Sequence, residues 1–117
     1  MIGLAVVVFL VAAVFGIYMA TRIFSGATPP WIAVILHGLL AASGLVLLLL
    51  AIYKGATATV LTIGAALLVI AALGGFYMVT FQLRKLPPPK PIVVVHALAA
   101  VAGVVCLLLD ATALIGA

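Results

Sequence analysis

Few of the 117 residues carry side chains that can do chemistry. The histidines are His37 and His96, the lone cysteine is Cys106 and the lone acidic residue is Asp110. Imidazole ligates metals, relays protons and hydrogen-bonds, and each use needs a second group held at a set distance. A single carboxylate excludes paired-carboxylate hydrolysis within one chain. No Ser/His/Asp or Cys/His/Asn set can be assembled, and no Gly-rich phosphate loop is present. Cys106 lies in an apolar run, has no partner for an intrachain disulfide, and reads as a small packing residue. The chemistry therefore rests on the histidine pair and on whatever brings the two rings together.

The elements around them are those of a membrane protein. The chain is 70% apolar and 5% charged, with mean hydropathy +1.66, whereas a soluble domain is about a quarter charged. No polar face exists to cover this apolar mass, which excludes a water-soluble fold. The net charge of +4 comes from scattered cations that form no basic stripe, so nucleic acid is excluded as a partner. Arg22, Lys54, the Arg84–Lys90 cluster and Asp110 instead punctuate long uncharged runs. A helix crosses the hydrocarbon in about 20 apolar residues. The runs predict transmembrane helices near 2–24, 31–53, 58–82 and 91–114, separated by links rich in Pro, Gly and Thr. Spanning strands are excluded, because a barrel needs many alternating segments. The expected fold is all-α: one domain forming a transmembrane up-down-up-down four-helix bundle, with the lipid bilayer as its surroundings.

Arg22, Arg84, Lys85 and Lys90 fall at the first and third links, against Lys54 and Asp110 on the other side. The positive-inside rule places both proline-containing links in the cytoplasm and both termini outside it, in a membrane of the bacterial inner (plasma) type. The first apolar stretch has no basic segment before it and is long enough to span, so it reads as a helix and not as a cleavable signal.

A shift of 59 residues lays Ala12–Leu50 on Ala71–Leu109 without a gap, and 17 of the 39 positions are identical. Low complexity supplies matched Ala, Val and Leu. It does not readily supply Tyr18/Tyr77, Met19/Met78, Thr21/Thr80, Pro29/Pro88, Pro30/Pro89 and His37/His96 in one register. The chain reads as a tandem duplication of a helical hairpin, about 1–53 and 58–114, with both copies in the same membrane orientation. Matched positions form stripes at steps of three and four: Val34, His37, Ala41, Gly44 and Leu48 on the second helix, and Val93, His96, Ala100, Gly103 and Leu107 on the fourth. Shorter stripes, Ala12, Gly16, Met19 and Ala71, Gly75, Met78, mark the first and third. This is the spacing of faces that pack inward.

Each histidine lies seven residues after its matched proline, about 10 Å into the membrane. The second and fourth helices of such a bundle are diagonal and parallel, so the rings point at each other across its axis. The expected gap is too wide for direct imidazole contact, and a haem suits it. The iron takes one imidazole from each side. Ala41, Gly44, Ala100 and Gly103 leave room for the porphyrin, and Arg22 and Arg84, with Lys85 and Lys90, lie near enough to pair with propionates. The ring N–H left over is expected to bond a carbonyl of the preceding helical turn.

With His37 and His96 on the same faces as Gly44 and Gly103, the chain resembles small four-helix membrane b-type cytochromes. That resemblance implies one bis-histidine haem b, with His37 and His96 as metal ligands. It also implies electron exchange with quinone, a redox protein or a larger membrane complex. Two-haem relatives use four ligating histidines, so two histidines imply one haem.

Other readings of the pair stay open. They are hydrogen bonding between helices, proton relay, quinone binding, and a bare zinc site, which has too few ligands. Met19 and Met78 read as packing groups first and as soft ligands second. At the level of the whole protein, the alternatives are a non-redox accessory or scaffold subunit and a small transporter. The orientation is directly testable. Cysteine at Gly26 or Leu86 is expected to resist impermeant thiol reagents in intact cells, while an N-terminal tag is accessible from outside; the reverse pattern inverts the topology.

Overall fold

A computed structural model describes residues 1–112, and among them every regular element is helical. The order is α1 (Ile2–Phe24), α2 (Trp31–Tyr53), α3 (Thr59–Leu83) and α4 (Lys90–Ala111). The boundaries follow the sequence reading to within a residue, except at the end of α4, where residues 113 and 114 of the expected span lie outside the described residues. All four helices are long and apolar enough to cross a membrane. The bundle is 46 Å long and 21 × 19 Å across, matching a bilayer of about 40–45 Å with its headgroups. Its outer surface exposes Val14, Ile17, Ile32, Leu39, Leu73 and Phe76, so the protein is an integral membrane protein surrounded by lipid.

The three links end their helices in one way. Ala27 N–H donates to Arg22 O and Gly26 N–H to Ile23 O, at 2.8 and 3.1 Å. The same pair of bonds closes α2 at Gly55 and Ala56 and α3 at Lys85 and Leu86. This is the Schellman arrangement, which needs a left-handed residue. Gly26 (φ 86) and Gly55 (φ 114) provide it, and at the third link Lys85 takes it at φ 58. Pro30 and Pro89 are extended and cap the starts of α2 and α4, where a missing N–H leaves no helical bond unmade.

Packing is closest within the hairpins, α1 on α2 and α3 on α4, and thinner between α2 and α3 and between α1 and α4; the diagonal pairs do not meet. The main core cluster, Ala5, Val6, Phe9, Leu48, Leu61, Ala65, Leu68 and Leu107, fills the half of the bundle remote from the proline links, while Ala12 and Ala71 are buried beside it and Ala33 and Val93 nearer the links. Its key contacts repeat at the 59-residue shift. The Phe9 ring fills the space over Gly44, where an added Cβ would meet it at 2.9 Å. Leu68, the matched residue, covers Gly103 at 2.6 Å. These glycines therefore do not hold open space for a porphyrin, as the sequence led us to expect; side chains of the paired helix occupy it. Gly64 and Gly103 also bring the α3 and α4 backbones together, each Cβ position lying 3.2 Å from the other's carbonyl oxygen.

Gly103→Val therefore has no space to relax into, and overpacking of about 1–3 kcal/mol is expected to lower the chemical unfolding midpoint clearly. Gly38→Ala, with nothing within 4 Å of the new methyl, is expected to leave it unchanged or raised.

Candidate functional site

Just above the packed half lie the two histidines. His37 on α2 and His96 on α4 face each other across the bundle axis, with ring centroids 6.2 Å apart and planes inclined at 68°. The rings are thus within aromatic range, closer than the sequence reading allowed. The α2 and α4 backbones stay apart, and the two side chains themselves span the bundle axis.

Each ring is fixed by the same bond. The His37 Nδ1–H donates to the Ala12 carbonyl on α1 at 2.7 Å, and the His96 Nδ1–H to the Ala71 carbonyl on α3, also at 2.7 Å. The acceptor lies on the paired helix and not on the histidine's own preceding turn. The reason is the glycine four residues along. A helical side chain leans over the turn before it and screens the carbonyl there. Gly16 and Gly75 have no side chain, so the Ala12 and Ala71 carbonyls keep a lone pair open to a ring arriving from the neighbouring helix. The fit is close: a Cβ at Gly16 would stand 3.0 Å from His37 Cε1, and one at Gly75 3.4 Å from His96 Cε1.

A carbonyl oxygen can only accept, so the bonded Nδ1 carries the proton and Nε2 of the neutral ring keeps its lone pair. Neither Nε2 has a hydrogen-bond partner among the described residues. Neither is sealed off, since no fully buried side-chain nitrogen or oxygen there lacks a partner. Two open lone pairs on opposing helices can take a proton, a water or one metal centre between them. The described residues contain no group of three or more His, Cys, Asp or Glu side chains, so a bare zinc ion lacks its usual ligand number.

The other expected site residues are placed as follows. Ala41 and Ala100 stay half-buried about one turn beyond the rings. Gly44 and Gly103 lie two turns beyond, under Phe9 and Leu68, and belong to the floor of the site. Met19 and Met78 are half-buried on α1 and α3. The arginines are not brought to the histidines. Arg22 Nε donates to the Thr28 carbonyl of its own link at 2.9 Å. Arg84 Nε donates to Thr80 O at 3.1 Å, with its guanidinium 4.6 Å from the Phe81 ring centroid. Arg22 and Arg84 are also not equivalent in the repeat, since their matched positions are Phe81 and Ser25. The seats that sequence reasoning missed are the Ala12 and Ala71 carbonyls. The signal was there, in a pair of Ala-x-x-x-Gly stretches each 25 residues before a histidine.

Compared with known proteins, the chain matches no family model, no curated protein and no solved structure.

Proposed function

We propose that the protein is a membrane electron carrier holding one b-type haem between His37 and His96. The observation that carries this reading is the ring pair itself: Nδ1 of each committed to a carbonyl, Nε2 of each free, and centroids 6.2 Å apart. His37 and His96 would hold the iron through their free Nε2 atoms, and the spacing of the two rings leaves room for a single metal centre between them. The donor set fits as well. A porphyrin supplies four nitrogens, so two neutral imidazoles complete an iron that zinc-type coordination would leave short. Gly16 and Gly75 provide close approach beside the rings, and Phe9 and Leu68 bound the site below.

When bound, the haem would supply one-electron chemistry by cycling between ferric and ferrous iron. The chain's own part is to hold the two rings in one tautomer, to keep water out from the packed half, and to leave the proline-link end open. The Ala12 and Ala71 carbonyls would enrich the imidazoles by accepting hydrogen bonds from their Nδ1–H groups, which would favour the ferric state. Quinone or a redox protein is the exchange partner this reading implies, reached from the cytoplasmic face in the orientation that the positive-inside rule predicts.

One observation favours a second reading. Each Nδ1 bond lies within a hairpin, so the histidines also serve as ties between α1 and α2 and between α3 and α4. In that case the protein is a non-redox scaffold subunit.

Haem stoichiometry separates the two. His37→Ala and His96→Ala are each expected to abolish the low-spin bis-imidazole spectrum, because neither remaining ring supplies both axial bonds. Met19→Leu and Met78→Leu are expected to leave it unchanged. If each hairpin held its own haem, each histidine variant would keep about half. If the histidines are ties only, haem content is nil throughout and each variant costs only about 0.6 kcal/mol of stability.

A further inference from the structure

The two proline links do not close over the end of the bundle. Between them lies a pocket of about 370 Å³, lined by Gly26 and Thr28 of one hairpin and by Gln82, Lys85, Leu86 and Lys90 of the other. Contacts across it tie the hairpins together. The Gln82 amide donates to the Pro29 carbonyl at 2.8 Å, and Lys90 Nζ stands 5.9 Å from the Phe24 ring centroid. The remaining cations at this end are engaged elsewhere, Arg22 by Thr28 and Arg84 by Phe81 and Thr80. Lys85 and Lys90 are the cationic residues that line the pocket, Lys90 only loosely held by the Phe24 ring. The only acidic side chain, Asp110, is twenty residues further along α4, about 30 Å away. Two lysines that line one cavity with no carboxylate nearby favour an anion from outside the chain.

A second observation points the same way. The repeat breaks here in one direction: hairpin one has Gly26 and Trp31 where hairpin two has Lys85 and Lys90. Lys85 stands in the left-handed conformation that Gly26 adopts freely, φ 58 against φ 86. That backbone suits glycine and strains lysine, so its presence there is explained by the charge it brings to the pocket.

We propose that this pocket binds the phosphate of an anionic phospholipid, with the Lys85 and Lys90 ammonium groups as its counter-charges and the Thr28 hydroxyl as a further donor. A lipid is favoured over a free anion because the pocket lies where the spans end, at headgroup depth, beside Leu83 and Leu86, which are 67% and 47% exposed and meet the acyl chains. The inference does not depend on the haem.

Native mass spectrometry of the full chain, released from detergent with equal phosphatidylglycerol and phosphatidylcholine, tests it. One phosphatidylglycerol is expected to remain bound per protein, preferred about tenfold. The double variant Lys85→Gly, Lys90→Gln is expected to lose the preference. Lys85→Gly relieves the strained backbone, so unchanged helicity by circular dichroism excludes misfolding as the cause. Lys54→Gln, a charge loss at the opposite end, is expected to retain the preference, and so is His37→Ala, His96→Ala, which separates this site from the haem reading. No preference in the wild type, equal loss in Lys54→Gln, or displacement of the lipid by millimolar inorganic phosphate overturns the proposal.

Discussion

The 2.7 Å bond from each histidine Nδ1–H to an alanine carbonyl of the paired helix is the interaction from which the rest of the site follows. In hydrocarbon a polar group without a partner is costly, and a ring free to rotate would find one at random. Here the partner is dictated. A glycine uncovers the carbonyl, the carbonyl selects the tautomer, and the tautomer leaves the opposite nitrogen free. Because the hairpin occurs twice about one axis, the free nitrogens occur twice, and the rings meet at 6.2 Å. A single copy would give one tethered imidazole facing lipid. The duplication turns it into a pair.

Packing divides the bundle into two functional halves. Below the rings, Phe9 on Gly44 and Leu68 on Gly103 repeat one wedge-in-notch contact, and the buried core lies there. Above them Ala33 and Val93 are buried, but Gly16, Met19, Val34, Gly75 and Met78 are only half-buried, and the links leave a pocket. The dense half fixes the diagonal spacing. Symmetry is kept where the rings are held and abandoned at the link surface, where the second hairpin alone carries Lys85 and Lys90.

Much of this was legible beforehand. Helix limits were plain because six charges and the proline links interrupt otherwise continuous apolar runs. The inward stripes were plain because duplication marked them twice. Three things were not legible, each for a physical reason. Gly44 and Gly103 looked like empty space because a sequence shows which residues are small but not what fills the notch; Phe9 and Leu68 share the 59-residue shift yet differ in type. Arg22 and Arg84 looked available because depth alone was considered. Arg22 instead reaches forward to the Thr28 carbonyl of its link and Arg84 back to the Thr80 carbonyl of its own helix. The ring's acceptor was expected on its own helix, where local bonds are entropically cheapest. The bare carbonyl beside a glycine on the next helix won instead.

Low-temperature electron paramagnetic resonance of the haem-replete ferric protein tests the central claim most directly. Two imidazoles in trans with planes 68° apart predict a single low-spin species of the strongly anisotropic kind that steeply inclined axial rings produce, at one haem per chain. A high-spin ferric signal, two distinct low-spin species, or a colourless protein from cells amply supplied with haem would contradict it.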